Sequence, residues 1–189
     1  MDSVTVRVGQ ALAAALSRRG VRHHEAARRL GYSRSAITSF CNGTRPIPLD
    51  VAGCFAAWLD DPELYVTLTQ VVCGGAAPSW YDGPRCDPHR MARKSASIIE
   101  MAEAIAALEE SRALIDAASA DHLTEAGRAE LARIVDELPD AIGELVNLLG
   151  RLCLQYGLSY RDAWADRRAE VEAKGYVVKG ERHAVGVAV

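Results

Sequence analysis

Residues 23–43 read HHEAARRLGYSRSAITSFCNG, and this stretch decides the fold. It parses as a short helix, a sharp reversal and a second short helix. Ala26, Ala27 and Leu30 supply the inner face of the first helix. Gly31 falls where the chain must turn back, and glycine takes a left-handed conformation there without steric cost. Ser33 stands at the N-cap of the second helix, its hydroxyl placed to accept a backbone N–H of the next turn. Ile37 and Phe40, three apart, share the buried side of that helix. Arg34, Ser35, Thr38 and Ser39 are left pointing outward, and a helix N-terminus with small polar and basic side chains is what a DNA major groove accepts.

These residues resemble the helix-turn-helix of the Cro and lambda-type phage repressor superfamily (XRE-like). The resemblance covers roughly residues 6 to 60. It rests on Ala27 and Gly31 at the helix-turn contact, Ser33 as cap, Ile37 as core anchor, Asn42-Gly43 closing the second helix, and Arg45 beyond it. Cys41 stands where many relatives carry an acidic residue. The resemblance implies that the second helix is a recognition helix, with Arg34, Ser35 and Ser39 reading base edges. His23, Thr44 and Arg45 would then hold phosphates, and Ser33 and Thr38 complete the DNA-facing set.

The charge is divided in the same sense. Residues 1–60 hold eight Arg against four acids, a balance of +4, and residues 61–189 hold 14 Lys or Arg against 21 acids, a balance of −7. A basic head on an acidic body suits a nucleic-acid reader whose body does something else. Hydrophobic residues make up 49% of the 189, which argues against disorder, while aromatics are few at 6%, which with abundant Ala favours packed helices. No apolar run reaches membrane-spanning length, and the opening MDSVTVRVGQ lacks the order of a signal peptide. No membrane is therefore expected, and the expected compartment is the cytoplasm. The five cysteines are odd in number and scattered, unlike a disulfide framework.

Along the chain, VTVRV (4–8) alternates like a strand, and a helix is expected from about Val6 to Arg18, ended by Gly20. After Asn42-Gly43 two prolines halt the chain, Asp50 is placed to cap a helix carrying Val51, Cys54, Phe55 and Trp58, and Pro62 fits the first turn of another. Residues 74–90 are rich in Gly and Pro and read as a linker pinned by Trp80 and Tyr81; Cys73, Cys86 and His89 match no common zinc spacing. One long helix is expected over 91–120, its buried stripe being Ile98, Met101, Ile105, Leu108 and Ile115. Another follows from about Glu125 to Tyr156, with Thr124 as cap, apolar positions Leu131, Ile134, Leu138, Ile142, Leu145, Leu149 and Leu152, and a kink or break at Pro139. Ser159 caps a last helix ended by Gly175. The expected organisation is all-α: a lambda-repressor-like helix-turn-helix domain (1–73), the linker (74–90), an antiparallel helical bundle (91–175) and a tail (176–189).

Two carboxylate pairs sit in the second half. Glu100 and Glu103 are three apart on one helix, Glu137 and Asp140 on the next, and four carboxylates from two helices suit a hard cation. This arrangement is similar to that of the all-α, MazG-like nucleoside triphosphate pyrophosphohydrolases. That resemblance implies Mg²⁺ held by Glu100, Glu103, Glu137 and Asp140, a bound nucleotide, and a dimer. On a helical wheel, however, Glu100 and Glu103 fall opposite the Ile98–Ile105 stripe, the position of a solvated face.

The leading expectation is a sequence-specific regulator that binds double-stranded DNA, needs no cofactor, and forms a homodimer or higher even oligomer through its C-terminal helices. The alternative is an Mg²⁺-dependent pyrophosphohydrolase with an appended helix-turn-helix.

Overall fold

The computed structural model describes residues 3–116 and 123–177; the expected tail lies almost wholly outside them. The described residues are helical, with no strand. In chain order the helices are α1 (Ser3–Arg18), α2 (His23–Leu30), α3 (Arg34–Cys41), α4 (Leu49–Leu59), α5 (Pro62–Val72), α6 (Arg90–Glu110), α7 (Arg112–Ile115), α8 (Glu125–Tyr156) and α9 (Tyr160–Ala173). The chain divides into two compact units, one of residues 1–77 with 153–189 and the other of residues 78–152.

In the first unit α1–α5 enclose a core in which Leu12, Ile37 and Phe55 are wholly buried and Phe40 almost so. The VTVRV alternation does not make a strand. It is the first half of α1, whose inner face continues through Val8, Ala11, Leu12, Ala15 and Leu16. A period of two over five residues is too short to outweigh the helical period that follows it. Two glycines let α1 and the end of α3 approach backbone to backbone. A Cβ on Gly9 would collide with the Phe40 carbonyl oxygen, and one on Gly43, at φ 65°, would lie 2.9 Å from the Val6 Cα. The end of α1 is tied down by charge. Arg18 makes a bidentate pair with the fully buried Asp61, both N–O distances 2.8 Å, and reaches Glu63 at 2.8 Å. Asp61 also caps α5 by accepting the Leu64 N–H. Arg19 donates to the Leu59 and Asp60 carbonyls at the C-terminus of α4, where such a cation is favoured. Helix α4 starts one residue ahead of Asp50, so Asp50 lies in its first turn and Pro48 takes the cap position.

The last helix, grouped by sequence with the bundle, makes its contacts in this first unit. The Tyr160 ring stacks on Tyr65 at 5.8 Å, and Asp60 accepts the Arg161 backbone N–H at 2.9 Å. Ser159 caps the helix as expected, by accepting from the Asp162 N–H.

In the second unit α6 and α8 run antiparallel. Arg93 near the start of α6 pairs with Glu144 at 2.9 Å, and Glu110 at its end meets Arg133 at 3.2 Å. The expected helix over 91–120 is interrupted at the buried Ser111, whose hydroxyl bonds back to the Ala107 carbonyl; residues 117–120 lie outside the described set. Helix α8 begins under a Thr124 cap and passes Pro139 without a break. Proline frees the carbonyl four residues earlier, here that of the exposed Val135, which water can satisfy. The expected buried stripe on α6 is not the buried face. Ser97, Ala104, Ala107 and Ser111 are buried, while Ile98, Ile105, Leu108 and Ile115 are 51%, 56%, 39% and 50% exposed. The segment before α6 is pinned as the sequence suggested. Buried Asn147 accepts the Tyr81 N–H and donates to the Ser79 carbonyl, and Arg151 lies 4.4 Å from the centre of the Trp80 ring.

Two stability outcomes follow from the first unit. Gly9→Ala is expected to cost about 1–3 kcal/mol, because its contact is with backbone that cannot rotate away. Asp61→Ala, which leaves the Arg18 guanidinium with Glu63 alone and removes a cap, is expected to cost about 2–4 kcal/mol. Urea unfolding monitored by circular dichroism measures both; wild-type midpoints for either variant would show that these contacts do not constrain the unit.

Candidate nucleic-acid interface

Helix α3 begins as its sequence demands. Ser33 is in an extended conformation, and its hydroxyl oxygen accepts the Ala36 N–H at 3.1 Å. Its oxygen also lies 2.9 Å from that of Ser35. Gly31 ends α2 in the left-handed conformation at φ 70°, donating to the Ala27 carbonyl. Ala26, Ala27, Ile37 and Phe40 all point into the core. With that face buried, Arg34 and Ser35 are exposed at the N-terminus of α3, while Thr38 and Ser39 are half-buried one turn further on.

The remaining DNA-facing candidates divide by what already engages them. The Thr38 hydroxyl donates to the Arg34 carbonyl at 3.0 Å and lies 3.0 Å from His23 Nδ1. His23 is thus half-buried and ties α2 to α3 across the turn. The Ser39 carbonyl accepts from the Thr44 N–H, the Thr44 hydroxyl and the Arg45 N–H, at 3.0, 3.2 and 3.2 Å. This folds residues 42–45 back over the end of α3. Arg45 is exposed, with its guanidinium 5.5 Å from the centre of the Phe40 ring. The structure therefore brings Ser33, Arg34, Ser35, Thr38, His23, Ser39, Thr44 and Arg45 onto and around α3. It leaves Ser33, Arg34, Ser35, Thr44 and Arg45 exposed.

Sequence reasoning missed three supports of this surface. Tyr32 meets Phe40 edge-on at 5.6 Å and so braces the core side of α3. Gly9 seats α1 against its C-terminal end. Arg28, exposed in the last turn of α2, adds a cation that the count of eight Arg contained but did not locate. Cys41, the departure from the repressor pattern, is buried, and burial pushes its thiol up to about 11. The Asn42-Gly43 turn beyond it still closes the helix, Asn42 remaining right-handed and Gly43 left-handed.

The second unit does gather carboxylates. The raised pKa of Glu100 comes first from burial and then from Glu103, Asp140, Glu144 and Glu137, so acids of α6 and α8 face one another. This differs from the wheel drawn about the Ile98–Ile105 stripe, because the true buried face is rotated away from that stripe. Tyr81 lies over Gly143, and burial, then Glu144, Asp140 and Glu100, raise its phenol. Yet Arg93 engages both oxygens of Glu144, and among the described residues no three acidic, His or Cys side chains are placed to hold a metal ion. His89 Nδ1 instead accepts the Met91 N–H at the start of α6.

Residues 7–59 match the model of a helix-turn-helix domain family, which spans the α1–α4 geometry just described. No curated protein and no solved structure matches the chain. An N-terminal helix-turn-helix domain is present; nothing in the comparisons supports the pyrophosphohydrolase resemblance of the second half. No helix among the described residues is long and apolar enough to cross a membrane.

A carboxyl whose folded pKa is raised destabilises the fold while it is charged, and the penalty is relieved as pH falls through the folded value. Glu100→Gln is therefore expected to raise Tm at pH 7 and to lose that advantage as the pH falls through the raised pKa of the wild-type carboxyl. Millimolar Mg²⁺ is expected to leave the wild-type Tm unchanged. A Tm that rises with Mg²⁺ and no longer does so in Glu100→Gln would restore the metal site.

Proposed function

We propose that the chain uses its helix-turn-helix domain to bind double-stranded DNA in a sequence-specific way, as a transcriptional regulator of phage-repressor type. The observation that carries this is the exposure of Arg34 and Ser35 at the first turn of a helix whose other side is locked into the core. A helix presented by its N-terminal end, with a basic and a small polar side chain leading, enters the major groove without displacing its own support. Arg34 is suited to a guanine, whose O6 and N7 accept a bidentate guanidinium. Ser35 and Ser39 are short enough to let the backbone approach the base edges. The N–H groups at the start of α3 and the exposed Arg45 hold the phosphates on either side. His23 acts mainly by fixing Thr38 and the α2–α3 angle, and reaches phosphate only by releasing that bond.

One module of this size makes few contacts, so the regulator acts as a homodimer or higher even oligomer joined through its C-terminal helices. Two copies reading two half-sites about one helical turn apart would double the contact set. Three cations on or beside α3 and α2, namely Arg34, Arg45 and Arg28, make binding depend on salt.

Selection of bound sequences from a random DNA pool, followed by gel shift, tests the reading. Arg34→Ala is expected to cost about 1–3 kcal/mol of discrimination at one base position. Arg45→Ala is expected to weaken all sequences alike and lower the salt slope by about one. Enrichment of no sequence, with both variants binding as wild type, would overturn the assignment of α3 as the recognition helix.

A further inference from the structure

The α6–α8 hairpin is built in three faces, and short triplets show them. On α6 the sequence Glu103-Ala104-Ile105 places an acid, a buried small residue and an exposed large apolar residue in succession. On α8 Asp140-Ala141-Ile142 does the same. The step recurs: Ile98 follows buried Ser97, Leu108 follows buried Ala107, and Val135 follows buried Ile134. One residue is about 100° around a helix. Each exposed apolar residue is thus rotated in one sense from the face that packs the hairpin together. Because α6 and α8 are antiparallel, the same sense of rotation about each carries both apolar rows to one side of the hairpin. The opposite rotation carries Glu100, Glu103, Glu137 and Asp140 to the other.

The apolar rows keep coiled-coil spacing. On α6, Ile98, Met101, Ile105 and Leu108 are separated by three, four and three residues. On α8, Leu131, Val135, Leu138, Ile142, Leu145 and Leu149 are separated by four, three, four, three and four. Strict alternation of three and four is the pattern of a helix seam that meets another helix. Within the hairpin the buried positions are Ser97, Ala104 and Ala107 on α6 and Ile134 and Ala141 on α8, and these rows run beside them. Val135 is 65% and Ile142 51% exposed. Ile98, Ile105, Leu108 and Leu145 are likewise exposed, so both helices of the hairpin present uncovered apolar side chains in these rows. No charged residue occupies the α8 row between Leu131 and Leu149.

We infer that this face is a self-association surface, on which the hairpin of a second copy of the chain closes a four-helix bundle. A second copy is the occupant the surface fits. A two-fold axis sets each patch against itself, and an uncharged row meets its own copy without repulsion, whereas the acidic face of the same hairpin repels its own. Two hairpins supply four rows of matching period, which is what a four-helix core requires. The surface is argued from the hairpin alone; the use made of it, to set two recognition helices on two half-sites, rests on the DNA-binding reading.

Sedimentation equilibrium of the full chain at micromolar concentration tests it. Wild type is expected at twice the 20.4 kDa of one chain. Ile105→Glu with Ile142→Glu is expected to raise the dissociation constant by about 100-fold or more, with helix content unchanged because both side chains are already half exposed. Ile105→Ala with Ile142→Ala, which asks nothing of folding, is expected to weaken the pair by about 10-fold. Glu103→Gln with Asp140→Asn, on the other face, is expected to change nothing. A wild-type mass of one chain, or a dimer untouched by both isoleucine pairs, overturns the inference. Gel shift of the monomeric variant on a single half-site separates the two readings: binding that persists there, with or without a dimer in wild type, leaves the recognition helix standing.

Discussion

The backbone of α1 lies directly against the C-terminal end of α3, and the first unit depends on that approach. Two side chains are missing where the helices meet, at Gly9 and Gly43. Their absence lets the Phe40 carbonyl and the Val6 Cα come within ordinary contact of the opposing chain. With the end of α3 so fixed, Phe40 and Ile37 drop into the core and Tyr32 closes over the Phe40 edge. The first turn of α3 then has no freedom to rotate its polar side inward. Arg34 and Ser35 are exposed because everything else on the helix is held.

The two halves of the chain differ in how they use small residues. In the first unit they bring backbones together around a core of large apolar side chains. In the α6–α8 hairpin the small Ser97, Ala104, Ala107 and Ala141 share the contact with Ile134, and many of the other large apolar side chains are left half exposed. A row of isoleucine and leucine at helical spacing announces that a helix buries one face against something. It does not say whether that partner is the next helix or another molecule. The Ile98–Ile105 row reads from sequence as the hairpin contact, with Glu100 and Glu103 opposite it; the row is not that contact, yet Glu103 is exposed and Glu100 only partly covered. Rotating the buried face by one residue brings those acids toward Asp140 and Glu144.

What was legible in the chain was local. Caps at Ser33, Thr124 and Ser159, the left-handed Gly31, and the reach of α8 from Glu125 to Tyr156 each follow from a few adjacent residues. So did the exposure of Arg34 and Ser35, because Ile37 and Phe40 leave only one orientation for so short a helix. What escaped was long-range or contextual. Nothing near Tyr160 signals that its ring stacks on Tyr65, ninety-five positions earlier, and nothing near Asp61 signals Arg18. Pro139 is a helix breaker by local rule, yet the residue whose carbonyl it frees, Val135, is exposed, and the helix continues.

Cys41 closes α3 from beneath, nearly inaccessible and held protonated by its surroundings, while Cys73 stands in the open just past α5. The two thiols therefore differ sharply toward an alkylating reagent: one is available at once, the other only when α3 lifts from α1. The rate at which Cys41 is labelled would then clock the opening of α3 from within, without any dye or engineered probe attached to its exposed side.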